Sequence, residues 1–228
     1  MSSISIVVPV LDDAPGLRRL LDDLDAIPGM SAQRIVVDGG SGDGSYALAQ
    51  RRADVVLRTA RGRARQLAAG IAVADRDWIW MLHADARIDA SAWHALTRAI
   101  ATDNTRWGRF DVRLDGSHPA FRMIEAMMNL RSRWTGICTG DQGIFVRRDL
   151  LELIEGIPDQ PLMEDIELTK RLRRHARPVC LDAALGVSSR RWQQRGIVAT
   201  VLLMWRLRLQ YFFGASPETL VRAYYDGR

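Results

Sequence analysis

Short runs of branched apolar residues alternate along the chain with stretches of helical period. Residues 4–10 (ISIVVPV), 34–37 (RIVV), 54–58 (DVVLR) and 78–82 (WIWML) are apolar runs bounded by turn residues, the pattern of strands buried on both faces. Asp13 and Pro15 precede Leu17, Leu20, Leu21 and Leu24, which recur as one stripe of a capped amphipathic helix. Residues 45–52 and 61–73 read as helices. Beyond residue 82 the pattern predicts a helix over 90–101, an alternating strand over 107–114 and a methionine-bearing helix over 120–132. It then gives a strand at 143–146, a helix at 164–175, short strands at 179–181 and 186–189, and closing helices at 197–213 and 217–225. Strands alternating with helices predict an α/β fold: a mostly parallel central sheet flanked by helices, joined by right-handed crossovers. No repeat or low-complexity linker interrupts the chain, so one domain is expected over residues 1–195, with residues 196–228 a helical extension packed on it.

In sheets of this kind ligands bind beyond the carboxyl ends of the strands. The unusual polar clusters fall there: Asp12 and Asp13, Asp38 to Asp43, and His83 to Asp85. The turn Gly39-Gly40-Ser41-Gly42-Asp43-Gly44 matches neither GxGxxG nor GxxxxGK[ST], so neither a dinucleotide site nor a P-loop is supported. It permits close backbone approach to a ligand, and equally suits a tight loop in which Asp43 caps the next helix. Asp85, just past a hydrophobic strand, faces the expected crevice. Mg²⁺ and Mn²⁺ commonly take one or two carboxylates and complete their shell with substrate phosphates, so one aspartate suffices to anchor a metal on a diphosphate.

Composition narrows the partners. The net charge is +5, yet Lys170 is the only lysine and the arginines are scattered, mostly beside acids. A clustered basic stripe, as nucleic acid would need, is missing. Arginine suits bidentate contact with phosphate or carboxylate, so an anionic small substrate fits. Cys138 and Cys180 match no metal spacing and read as reduced thiols of a cytoplasmic protein. The opening MSSISIVVPVLDD lacks a basic segment leading into an apolar stretch, so no secretory leader is expected. Residues 197–205 are apolar, but too short and too near Arg206 and Arg208 to span a bilayer.

Taken together, these motifs resemble family-2 glycosyltransferases of the GT-A fold. The likeness lies in a PV-tipped first strand, a VVD-Gly-rich-Ser-x-Asp-Gly turn, an acid after a mid-chain strand, Thr139-Gly140-Asp141-Gln142, Met163-Glu164-Asp165 and Arg190-Arg191-Trp192. It covers roughly residues 4–195. GRFDVRL, NLRSR, TGDQGIFVRR, PLMEDIEL and LLMWRLRLQYFFGA further resemble a bacterial subgroup labelled arsenosugar-biosynthesis glycosyltransferases.

The resemblance implies roles. Pro9, Val10 and Asp13 would border the base and ribose. Asp38 matches the first acid of a base-contacting pair whose second is Gly39 here. Ala84 and Asp85 end the family's DxD metal motif, with His83 at its first acid, and imply Mn²⁺ or Mg²⁺ on Asp85. Arg63 and Arg65 would reach base or diphosphate, and Arg191 the diphosphate. Asp165 matches the catalytic base of inverting relatives, with Glu164 positioning. Gly140, Asp141, Gln142 and Trp192 would line the acceptor side, and Trp134 is a second candidate for stacking on a sugar. The expected partners are a nucleotide sugar, UDP-linked by preference, and a small-molecule or lipid-linked acceptor. The aromatic, arginine-bearing segment 197–225 adds a peripheral membrane contact. Two other readings stay open: a nucleotidyltransferase of similar architecture, which would release pyrophosphate, and a non-catalytic nucleotide-binding or membrane-surface module.

Overall fold

The computed structural model describes residues 3–190 and 196–226. Its sheet has seven strands in the order β3-β2-β1-β4-β6-β5-β7. They are β1 (Ile4–Val10), β2 (Gln33–Asp38), β3 (Val55–Arg58), β4 (Trp78–Met81), β5 (Trp107–Leu114), β6 (Phe145–Arg147) and β7 (Val179–Val187). β1 lies parallel to β2 and β4, β2 to β3, and β5 to β7, whereas β6 is antiparallel to both its neighbours, β4 and β5. Six strands therefore end at one edge.

The continuous apolar runs are explained by alternation between two cores. Ile4, Ile6, Val8, Val36, Trp78 and Trp80 face one layer. Val7, Ile35, Val37, Ile79 and Met81 face the other. The first layer is covered by α1 (Ala14–Asp25), α2 (Ser45–Arg52) and α4 (Ala90–Ile100). The second is covered by α3 (Arg63–Val73), α6 (Arg148–Leu153) and α7 (Glu164–Arg173). Trp80 stacks on Phe110 with centroids 5.3 Å apart, and Phe110 meets Phe145 edge-on at 5.8 Å. Gly70 lets α3 close on the sheet, since a Cβ there would come within 2.5 Å of Val7.

Three further helices stand among the described residues: α5 (Pro119–Thr135), α8 (Ile197–Phe212) and α9 (Pro217–Asp226). Leu207, Leu220 and Tyr224 from α8 and α9 pack on Met163 and Ile166 at the start of α7. Ile197 and Val201 of α8 pack with Phe121 and Ile124 of α5.

Two sequence expectations need correction. The short strands at 179–181 and 186–189 are one strand, β7, whose register shifts between Phe110 and Asp111 of its partner. The irregularity hides its continuity from a simple alternating pattern. The strand expected at 143–146 begins at Phe145, because Gly143 is left-handed (φ 54°) and ends a 3₁₀ turn over Gly140–Gln142. α6 passes unnoticed in the sequence, being too short to show helical periodicity.

Candidate active site

At the β1–β2 edge the polar groups are turned on one another. Gln66 of α3 is buried, and its Nε2 donates to the carbonyls of Val10 and Val37, 2.8 Å each, stapling two strand tips together. Asp38 is wholly buried; its carboxylate accepts from the backbone N–H groups of Gly40 (3.1 Å) and Ser41 (3.2 Å), and from Arg58 Nε (3.3 Å). Asp12 accepts from Gly42 N (2.8 Å) and its own N–H donates to Ser41 Oγ (2.9 Å). Asp43 accepts from Ala14 N (2.7 Å) and from Ser45 N and Oγ (3.0 and 2.6 Å), anchoring the starts of α1 and α2. Burial works against its charge, but these donors hold the Asp43 carboxyl below its usual range. Asp13 caps α1 through Gly16 N and lies 3.7 Å from Arg190.

A different arrangement stands where α3, the 3₁₀ turn and α7 meet. Met163 is left-handed (φ 63°), a strained conformation for this residue, and it opens α7 directly into Glu164 and Asp165. The two acids diverge, as neighbours on a helix must. Glu164 is buried, 5% exposed, with Oε1 2.8 Å from Arg63 Nη1. Asp165 keeps 15% of its side chain exposed; Oδ2 accepts from Gly140 N (2.8 Å) and Oδ1 from Ile166 N (2.7 Å). Arg63 Nη1 is 4.0 Å from Asp165 Oδ2. A Cβ at residue 140 would sit 1.6 Å from Arg63 Nη2, so glycine there makes room for the guanidinium.

Arg63 is the hub. Burial presses its pKa down, but Glu164, Asp165, Asp141 and Asp85 together hold it above its ordinary value. Burial raises the Glu164 carboxyl; Arg63 opposes this, while Asp165 and Asp141 add to it. Asp141, 42% exposed, has Oδ1 3.6 Å from His83 Nε2. Asp141 thus links the turn that holds Asp165 to the loop carrying His83 and Asp85.

Asp85 also stands on the wall of a cleft of about 860 Å³ between the ends of β5 and β7 and the loop after β4. Arg19, Arg113, Arg122 and Arg190 face the same space. Asp85 is half-buried and its carboxylate accepts no hydrogen bond among the described residues. Among the described residues no group of three His, Cys, Asp or Glu forms a metal cage. One open carboxylate beside His83 fits a hard cation that takes its other ligands from phosphate and water.

The sequence matches Glycosyl transferase family 2 over residues 5–153, well over half its length. The chain belongs to that family. No curated protein matches it. Solved structures share its fold at low identity. Staphylococcus aureus TarS residues 1–349 align with a TM-score of 0.67 at 16% identity, over 82% of this chain and 60% of that one. The Pyrobaculum calidifontis mannosyltransferase PcManGT, solved with GDP-Man and Mn²⁺, aligns at 0.66 and 22% identity, over 91% and 60%. Mycobacterium tuberculosis glucosyl-3-phosphoglycerate synthase, solved with Mn²⁺, UDP and glucosyl-3-phosphoglycerate, aligns at 0.60 and 18%, over 82% and 71%. The chain thus spans about 60% of the length of the first of these relatives.

Set against this family-2 fold, the residues expected from sequence separate into groups. Arg63, Gly140, Glu164 and Asp165 line one small recess, with Asp141 beside it, whereas Asp85 lines the larger cleft; His83, 3.6 Å from Asp141, connects the two regions. Pro9, Val10, Asp13, Asp38 and Gly39 meet at the β1–β2 edge, where Asp38 braces its own turn. Arg65 points away, 61% exposed and 3.7 Å from Asp159. Gln142 does not line an acceptor pocket: it is fully buried, its Nε2 donating to Ser132 Oγ (2.9 Å) and its Oε1 accepting from Thr139 N (3.2 Å). Trp134 is 81% exposed on the outer side of α5, away from the cleft. Arg191 and Trp192 lie outside the described residues. His118 caps α5 through Nδ1 (3.2 Å from Ala120 N). Sequence reasoning also missed Gln66 as a strand staple. A lone glutamine among alanines in a helix facing a sheet was its only signal.

Proposed function

We propose that the protein is a metal-dependent, inverting glycosyltransferase that moves a sugar from a nucleoside-diphosphate sugar, UDP-linked by preference, to an acceptor hydroxyl. The observation that carries this reading is a chain of contacts from Asp165 to the loop of Asp85: Gly140 N donates to Asp165 (2.8 Å), and the next residue, Asp141, lies 3.6 Å from His83, two positions before Asp85 on the cleft at the carboxyl edge of the sheet. The ligand-bound relatives, with UDP or GDP-mannose and with Mn²⁺, support the donor class and the cation.

In this reading the nucleotide lies along the β1–β2 edge, bordered by Pro9, Val10, Asp13 and Gly39, with Asp38 keeping the turn in shape. Asp85 would hold Mn²⁺ or Mg²⁺, which when bound would supply charge neutralisation on the diphosphate. Asp165, fixed by the N–H groups of Gly140 and Ile166, accepts the proton of the acceptor hydroxyl. The acceptor oxygen bonds to the anomeric carbon from the face opposite the diphosphate, the bond to the diphosphate oxygen breaks, and configuration inverts. Glu164 is a positioning residue: its ion pair with Arg63 keeps that guanidinium beside Asp165. Arg191, carried by its motif, offsets charge on the leaving group, and Asp141 and Trp192 border the acceptor.

Thermal shift and product analysis with UDP-, GDP- and TDP-sugars and Mn²⁺ test the proposal. One nucleotide class should stabilise the protein, and turnover should release nucleoside diphosphate. Release of pyrophosphate from a nucleoside triphosphate would identify a nucleotidyltransferase instead. No stabilisation by any of the nucleotides would leave a module that does not use this chemistry.

A further inference from the structure

Most large apolar side chains left open to solvent lie on two neighbouring helices. On α5 they are Met123, Met127, Leu130 and Trp134, 44–81% exposed. On α8 they are Val198, Leu202, Trp205, Leu209 and Phe212, 55–77% exposed. Both sets step by four and three residues, so each is one straight stripe along its helix. Among the described residues, only Val73, Leu153 and Phe213 fall outside the two stripes, and Phe213 directly follows α8. The helices adjoin: Ile197 and Val201 pack with Phe121 and Ile124, and Arg208 lies close enough to Arg131 to disfavour its charge. The stripes therefore form one face, larger than scattered surface apolar residues require.

Charge selects what covers it. α8 contains no acid, and its charges are Arg206 and Arg208. The only acid of α5, Glu125, is buried and paired with Arg122 at 2.9 Å. Between the helices, Arg131 Nε and Nη2 and Arg208 Nε have no hydrogen-bond partner. Burial, with Arg208 next, pushes the Arg131 guanidinium down to about 10. A second copy docked on the same face by two-fold symmetry would join two surfaces whose helices expose cations and no acid. An anionic surface would neutralise Arg206, the exposed cation of α8.

We propose that the α5–α8 face lies on an anionic lipid surface, with Trp134, Trp205 and Phe212 entering the headgroup boundary and the exposed Arg206 meeting lipid phosphates. Amphipathic helices with apolar aromatic faces and cationic flanks bind in this manner, and tryptophan suits the boundary. No described helix is long and apolar enough to cross a membrane, so the contact is along the surface. Met163, which opens the Glu164–Asp165 turn, packs on Leu207 of α8, so such docking would bring the acid cluster close to the lipid plane.

Vesicle flotation of the full chain tests this without reference to turnover, so its failure is separable from failure of the transfer reaction. The protein should float with vesicles of phosphatidylcholine mixed with phosphatidylglycerol, and far less with phosphatidylcholine alone. Leu202→Glu with Leu209→Glu should abolish flotation, and Trp134→Glu on the other helix should weaken it, with circular dichroism unchanged because all three side chains are exposed. Arg206→Gln should weaken binding about fivefold. Parental flotation by both glutamate variants would overturn the proposal. So would no flotation on the anionic vesicles, or a dimer in light scattering that Leu202→Glu with Leu209→Glu converts to monomer, which would assign the face to a second copy.

Discussion

Asp38 and Asp85 both stand at the carboxyl edge of the sheet, one ending β2 and the other just past β4, in opposite physical situations. Asp38 is sealed, with two backbone N–H groups and Arg58 on its oxygens. Asp85 is half-buried, on a cleft wall, with no hydrogen-bond donor of its own among the described residues. The same contrast runs through the regions around them. The β1–β2 edge closes on itself through Gln66, Asp12 and Asp43, whereas the region between α3, α7 and the 3₁₀ turn keeps acids and arginines only partly matched. An acid at a strand end is therefore weak evidence of a site. What identifies chemistry is the lone pairs left over after the local backbone has been served.

Four substitutions probe that contrast, in falling order of expected effect. Asp165→Asn should lower turnover about 10²–10⁴-fold while donor binding survives, measured by initial rates beside nucleotide titration. Arg63→Met leaves Glu164 buried without its cation. Removing one partner of a buried pair costs about 3–5 kcal/mol, and the 31% exposure of Arg63 places this pair at or below the lower end, about 2–3 kcal/mol by denaturant unfolding. That loss should depend on pH. Glu164 has a raised folded pKa, so it binds its proton more tightly folded than unfolded, and stability falls as pH rises from about 4.5 through the raised value. Without Arg63 the carboxyl rises further, so the variant should recover part of its deficit near pH 5 and lose most near pH 8.

Gln66→Leu should cost about 1–3 kcal/mol, because the Val10 and Val37 carbonyls lose a buried donor. Its effect should appear in melting temperature before it appears in metal dependence. Arg65→Ala, on the exposed side of the same helix, should change stability by no more than about 0.5 kcal/mol and leave donor binding intact. A large loss there would blur the distinction between the two faces of α3.

The alternation of apolar runs made most of the fold legible in the sequence, since residues split between two cores must be apolar throughout. The acids themselves stand out by position, Asp85 after an apolar strand and Glu164-Asp165 in the first turn of a helix. Less legible was which groups of a motif stay available. Gln142 and Asp141 are adjacent in one turn, yet one is locked in the core and the other faces His83, because a 3₁₀ turn rotates successive side chains about a third of a circle. Arg131 and Arg208, far apart in the chain, could be paired only once α5 and α8 were seen side by side. The exposed stripes of those helices carry the helical period of any buried face, so periodicity alone cannot say that no neighbour covers them.

The most direct test of the account is calorimetry of UDP binding with and without Mn²⁺, on the parent chain and on Asp85→Ala. Mn²⁺ should tighten binding to the parent and have no effect on the variant, while the variant's melting temperature stays near the parental value. Equal tightening in both would remove Asp85 from the site and with it the cleft assigned to transfer.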